Sequence, residues 1–388
     1  MSLEVYKNIT ETYPWRVLWV ELFLVGSAIL IIILHFLLGK EMRKLIPGFA
    51  TMLIGILTMI FIGVILYGMP SGSWFSGMIA RDEFTNGLRL FLLIASFFVC
   101  LLSMVFLTSR SLLKVEFYAT LLIITACMSL SVQSNHMLMF FVSLELVTVG
   151  YYVLIRYPSN RGFVSEVGIK YFICGGLSSV ILLLGIVIIY ISIESSSLNL
   201  GSLDGFNFAD IYTFFSEYSE TLWAKVGALL LLAGLFFKMG LVPFHIWVPN
   251  VYQLATTPVT ALLAVSSKGL GFALLLLLFQ TGGALAPLGK GFIPLFSVLA
   301  GLSILWGNLS ALGEQNVKRL IGFSGIAHAG YLLLGIIASI CLPDNELIIS
   351  MIFFYLFSHL FASFALFGVM VHWGGVRMLI SKGSIMLI

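Results

Sequence analysis

The sequence predicts an all-α polytopic membrane protein with about eleven transmembrane helices, and three observations carry that prediction. First, 60% of its 388 residues are hydrophobic and only 10% are charged, where a soluble domain has roughly 25% charged residues. Second, mean hydropathy is +1.10, and the apolar residues fall in blocks able to cross the roughly 30 Å of hydrocarbon that about 20 helical residues span. Third, the basic residues between the blocks alternate from side to side.

The blocks are 17–38, 46–67, 88–108, 115–132, 136–155, 168–192, 222–241, 257–280, 292–312, 319–341 and 346–373. The first is too long for the apolar region of a cleavable signal, so none is expected. Loops after odd-numbered blocks hold Lys40, Arg43 and Lys44, then Arg110 and Lys114, Arg156 and Arg161, and Lys318 and Arg319; Arg377 and Lys382 follow the last block. Loops after even-numbered blocks carry Arg81 and Lys290 and are otherwise acidic or neutral. The longest, 194–221, holds Glu194, Asp204, Asp210, Glu217 and Glu220 without a basic residue. By the positive-inside rule the N-terminus lies outside. Arg89 and Lys225, at block edges on the other side, and the uncharged loop after block seven depart from the pattern. Residues 69–84, "MPSGSWFSGMIARDEF", are expected as an interfacial loop, and "FNFADIYTFF" (206–215) as a segment along the membrane surface. Neither reads as a separate domain.

A net charge of +3 argues against a nucleic-acid partner. Cys100, Cys127, Cys174 and Cys341 are scattered without pairing or metal spacing and read as small packing residues. There is no cysteine cluster for iron–sulfur, no phosphate-binding lysine loop and no dinucleotide fingerprint. The chain is expected to carry protons or ions, not electrons or ATP energy.

A charge at the centre of a membrane helix costs roughly 2.5–3.5 kcal/mol on insertion scales, so such a residue is a functional candidate. Four qualify: Glu145 in "MFFVSLELVTVGYYVL", Lys170 in "SEVGIKYFICGG", Lys238 in "LFFKMGLVPFHIWVPN" and Lys268 in "LLAVSSKGLGFALLL". Lys170 is near a helix end, where snorkelling to the interface is an equal reading. Burial pushes a lysine toward the neutral form and a glutamate likewise, and an opposite charge nearby reverses both. One Glu among several Lys therefore reads as a set of proton-exchanging groups, with fixed ion pairing as the alternative. Pro243 lacks an N–H and crowds the carbonyl of Met239, which predicts a break beside Lys238, with Pro249 keeping the following stretch extended. Broken helices in membranes occur where they are buried in protein or line a wet cavity, and transporters use them to bind ions; a packing kink is the alternative. His245 at the break and His328 in "SGIAHAGYLLLG" are candidate relays. His359 is a weaker one, since a lone histidine is more often a packing residue.

"FKMGLVPFHIWVPNVYQLATTPVTALLAVSSKG" (237–269) resembles the signature of the antiporter-like membrane subunits of respiratory complex I, and "NVKRLIGFSGIAHAGYLLLG" (316–335) resembles their second signature helix. "SEVGIKYFICGGLSS" (165–179) and "VPFHIWVPNVYQ" point to subunit 2, also called subunit N, rather than subunits 4 or 5. The resemblance runs from about Trp19 to about Trp373. It implies proton translocation coupled at a distance to NADH-to-quinone electron transfer. NADH, FMN, iron–sulfur clusters and quinone would then belong to partner subunits, with none in this chain. Glu145, Lys238, Lys268 and Lys170 match the family's proton-transferring residues. The fold implied has inverted five-helix repeats: three N-terminal helices over 1–114, a first repeat over 115–280 and an incomplete second repeat over 281–388. Implied partners are other membrane-arm subunits, neighbouring antiporter-like and small membrane subunits among them, and lipid. "ARDEFTNGLRLF" and the phenylalanine content look more like a mitochondrial inner membrane protein than a bacterial one.

Two departures stand out. Asn250 occupies a position where the family usually has Asp. The family also has fourteen helices, the twelfth broken at "GIPP" with an exit lysine, whereas the sequence stops at "VRMLISKGSIMLI" after eleven blocks. A separate polypeptide supplying the remainder, natural loss and a frameshifted fragment are the three explanations. Beside the proton-translocating reading stand a scaffold subunit that no longer pumps and a cation/proton antiporter subunit outside NADH chemistry.

Overall fold

The computed structural model describes residues 17–38, 45–66, 71–109, 115–157, 162–200, 205–218, 221–343 and 345–380. Lys40, Arg43, Lys44, Arg110, Lys114, Arg161, Asp204, Glu220 and Lys382 lie outside them, as does the side chain of Arg377. Among the described residues eleven helices are long and apolar enough to cross a membrane. They are α1 (Trp19–Leu37), α2 (Ile46–Leu66), α3 (Glu83–Ser109), α4 (Val115–Val132), α5 (Met137–Arg156), α6 (Gly162–Leu200), α8 (Leu222–Met239), α10 (Thr257–Phe279), α11 (Gly289–Leu312), α12 (Val317–Cys341) and α13 (Glu346–Ile380). Two shorter helices join them: α7 (Phe208–Glu217) and α9 (Trp247–Leu254). Every block read from the sequence holds a helix. The largest boundary errors are at α3, α6 and α13, where polar turns continue the helix past the apolar block.

Apolarity on all faces suits a helix for lipid or for the interior alike, and it is burial that puts α10 at the centre of the bundle. Its membrane window is 100% buried, against 33% for α1 and 28% for α13. α4 is buried on most of its surface. Hydroxyls inside the helices return to their own turn: Thr51 to the Pro47 carbonyl at 2.8 Å, Thr58 to Ile54 at 2.7 Å and Ser103 to Val99 at 2.6 Å. That back-bonding satisfies a donor that hydrocarbon would leave unpaired. α6 and α8 meet backbone to backbone, since a Cβ on Gly227 would stand 2.9 Å from the Gly185 carbonyl oxygen. Small residues allow this approach where helices lack a hydrophobic drive to associate in lipid.

Within the expected interfacial loop at 69–84, the described residues from 71 onward form a two-stranded hairpin, β1 (Gly72–Trp74) and β2 (Ile79–Arg81), turning at Phe75–Met78. Asp82 then caps α3: its carboxylate accepts the Thr85 N–H at 2.7 Å, while Thr85 Oγ1 accepts the Asp82 N–H at 2.9 Å. The hairpin is hydrogen-bonded to the α4–α5 turn, Ala80 N–H to the Gln133 carbonyl at 2.9 Å and Asn135 N–H to Met78 at 2.8 Å. That turn is bonded in its turn to the start of α7, Met137 N–H to Phe206 at 2.8 Å and Phe208 N–H to Asn135 at 3.1 Å. Three loops that follow even-numbered spans therefore share one end of the bundle. This is the parity that the alternating charges require, reached without using a single charge. α7 covers part of "FNFADIYTFF" and buries Phe208, Ile211, Phe214 and Phe215 along one face.

Candidate functional site

α8 ends at Met239, four residues before Pro243. Gly240 takes the left-handed conformation (φ 71°). Its N–H bonds the Phe237 carbonyl and the Leu241 N–H bonds Phe236, each at 3.1 Å. This is a Schellman stop, for which glycine is preferred because it has no Cβ to clash. The attribution of the break to Pro243 is therefore corrected: glycine ends the helix, and Pro243 lies in the exposed turn that follows. Pro249 is also corrected. It sits in the first turn of α9, where a missing N–H costs nothing, and does not hold the chain extended. The remaining ends of the break are tied down. Trp247 Nε1 donates to the Phe237 carbonyl at 3.0 Å, Ser303 Oγ accepts the Val242 N–H at 3.1 Å, and Ser267 Oγ reaches the Lys238 carbonyl at 3.4 Å.

Lys238 occupies the last turn of α8 and points toward α5 and α6. Its ammonium lies 2.9 Å from Glu145 Oε1, 2.7 Å from Thr148 Oγ1 and 3.3 Å from Ser179 Oγ. Ser179 also donates to Glu145 Oε1 at 2.5 Å. One carboxylate oxygen thus receives both a charged and a neutral donor. The pair is not sealed, for the Glu145 side chain is 26% exposed and that of Lys238 10%. Val142, Leu146 and Val149 beside Glu145 on α5 are exposed as well.

Lys268 follows a turn of π-helix, Leu263–Ser267, within α10. Such wider turns interrupt the regular bonding ladder and recur at functional positions. Lys268 is 4% exposed, and its Nζ has no hydrogen-bond partner among the described residues. It stands 5.7 Å from the centre of the Tyr252 ring, within cation–π range. Its tip rests on Gly325 of α12, where a Cβ would overlap it. One turn further along α12, His328 Nδ1 meets Tyr355 Oη at 2.5 Å and its ring centre is 4.7 Å from that of His359. α13, which carries His359, also packs against the widened turn. α12 and α13 thereby bring two histidines beside the turn that carries Lys268.

Two candidates stand apart. Lys170 is on the exposed face of α6, nine residues before Ser179 and so about 13 Å away along the axis. His245 is partly buried with its ring edge-on to Trp306 at 5.6 Å and does not join either lysine. Thr148 and Ser179 were not singled out from the sequence. Thr148 could have been, one turn after Glu145 on the same helix face; Ser179 carries no signal beyond the small residues around it. Glu21 and Arg89 were also missed, a buried ion pair 2.9 Å long with side chains 5% and 0% exposed. Among the described residues no three His, Cys, Asp or Glu side chains gather to hold a metal ion.

The bundle as a whole has known counterparts. Residues 134–381 match the family described as NADH:quinone oxidoreductase/Mrp antiporter, transmembrane. The chain belongs to this family. Within it the chain groups with subunit N: it is 40% identical over 376 residues to NADH-quinone oxidoreductase subunit N 1 of Opitutus terrae, covering 97% of this chain and 74% of that relative. Its structure is similar to a chain of respiratory complex I from Thermus thermophilus with bound aureothin (TM-score 0.70, 27% identity, 91% of this chain and 70% of that one). The fold alone is shared with a chain of the Mrp complex from Dietzia sp., at TM-score 0.72 and 20% identity over 91% of this chain and 64% of that one. Similar subunits N come from other bacteria, among them Chloroherpeton thalassium and Desulforamulus reducens. The mitochondrial expectation finds no support among them.

Proposed function

We propose that the chain is a membrane-arm subunit of a proton-translocating NADH:quinone oxidoreductase, moving protons through Glu145, Lys238 and Lys268 while performing no redox chemistry itself. The observation that carries this is the Lys238–Glu145 pair at the capped break, bridged by two hydroxyls and only partly closed off. A lysine whose counter-charge can gain or lose access to a donor is a group whose protonation can be switched. The subunit N relatives support the assignment to complex I. NADH oxidation, the redox cofactors and quinone reduction belong on this reading to partner subunits.

On the same reading residues 115–280 form a first five-helix repeat and 281–388 part of a second, after three N-terminal helices. The basic residues at odd-numbered loops favour an N-terminus on the outer side of a bacterial energy-coupling membrane. His328 serves as a relay beside Lys268. Lys170 and His245, which stand apart from the lysines, keep at most a peripheral part in proton transfer. The test is the number of protons moved per electron in complexes carrying Lys238→Ala or Glu145→Ala. A lowered ratio with electron transfer retained is expected. An unchanged ratio in assembled complexes would leave the chain a scaffold.

A further inference from the structure

The proton-carrying reading uses none of the N-terminal three helices, yet the most completely buried charge in the described residues is there. Arg89, in the second turn of α3, is 0% exposed. Its guanidinium donates to Glu21 of α1 at 2.9 Å and to Ser129 of α4 at 3.0 Å, and lies 5.0 Å from the centre of the Phe61 ring of α2. Glu21 Oε1 also accepts Ser129 Oγ at 2.5 Å and Gln133 Nε2 at 2.7 Å. Four helices therefore meet on a single buried ion pair. Its geometry is demanding, because one misplaced partner leaves a bare charge in a dry interior.

Two residues along the same helix, on its opposite face, is Phe91. It is 1% exposed, and its ring fills the space where a Cβ of Gly269 would stand, directly behind Lys268. It also packs edge-on against Phe357 at 5.6 Å, between Tyr355 and His359 of α13. One face of α3 is thus pinned to α1, α2 and α4, while the other braces both the turn bearing Lys268 and the helix bearing His359.

We propose that Arg89, clamped by Glu21, is a positioning residue that seats Phe91 behind Gly269 and so fixes where Lys268 is held. This rests on the reading of Lys268 as a proton-carrying group. It makes the N-terminal helices part of the proton device, acting through packing rather than by carrying a proton.

The test uses the assembled complex in liposomes, with a pH-sensitive dye reporting protons moved per electron beside the rate of electron transfer. Phe91→Ala and Glu21→Gln are each expected to lose at least half as much of the ratio as Lys268→Ala does. Combined with Lys268→Ala, neither is expected to lower it further, a non-additivity that general loosening would not produce. Should Glu21→Gln fail to assemble, Glu21→Gln/Arg89→Gln removes both charges together and Phe91→Ala leaves them untouched. A normal ratio in assembled Phe91→Ala beside a lowered one in Lys268→Ala would overturn the positioning role alone, as would losses that add to that of Lys268→Ala. A normal ratio in Lys268→Ala would overturn the proton-carrying reading and this inference with it.

Discussion

Lys238 and Lys268 are the same side chain on neighbouring helices, in opposite company. Lys238 has a carboxylate and two hydroxyls within hydrogen-bond distance and keeps some contact with the outside. Lys268 is enclosed with an aromatic face, a glycine and two histidines nearby, and has no hydrogen-bond partner among the described residues. An ion pair can hold a charge in a partly dry site, whereas an enclosed ammonium without a partner is expensive. The two positions are therefore complementary on the proposed reading. One stores a proton against a counter-charge, and the other passes it through a place where it does not rest.

Substitutions can break that contrast. Gly325→Ala puts a methyl where the Lys268 tip lies, and misplacing a reacting group by about 1 Å can cost about 100-fold in rate. Proton transfer should fall toward that extent, with assembly kept, as read by protons per electron and thermal unfolding. Glu145→Leu leaves Lys238 without its counter-charge and should destabilise the complex by about 3 kcal/mol, the low end for breaking a buried pair. Adding Lys238→Met should recover most of that stability without recovering proton movement; equal damage in the single and double variants would show that the pair is not coupled. Ser179→Ala removes the hydroxyl that joins Glu145 and Lys238, two hydrogen bonds worth about 1 kcal/mol each, and should slow proton transfer by about 30-fold. Lys170→Ala, on the exposed face of α6, should change stability by less than about 0.5 kcal/mol and leave the proton ratio unaltered. A large loss there would return Lys170 to the site and dissolve the two-position contrast.

The eleven spans were legible because apolar block length is a one-dimensional signal, and hydrocarbon thickness sets it. That Glu145 belongs with lysines inside the membrane was legible for a related reason, since isolated charges in such blocks must find one another, but which of Lys170, Lys238 and Lys268 pairs with it was not. The cause of the break was less legible. "KMGLVPF" offers a glycine and a proline three residues apart, and which of them ends the helix depends on the backbone angle at Gly240. The Glu21–Arg89 pair was hidden because its partners are 68 positions apart and both lie within the first two turns of their helices. There a charge reads as interfacial until the hairpin and the α4–α5 turn are seen covering that end. Ser179 was hidden because a hydroxyl in a small-residue stretch looks like packing until a carboxylate approaches it.

The π-turn at Leu263–Ser267 has a consequence for phase. A single additional residue in one turn advances everything downstream by about 100° around the helix axis. Residues 257–262 and 268–279 therefore belong to two helical wheels, and no face drawn through the first predicts the second. Removing one residue from the widened turn would bring the two into register. It would also turn Lys268 by roughly a quarter of a revolution, away from Tyr252 and Gly325, without altering any residue that touches it.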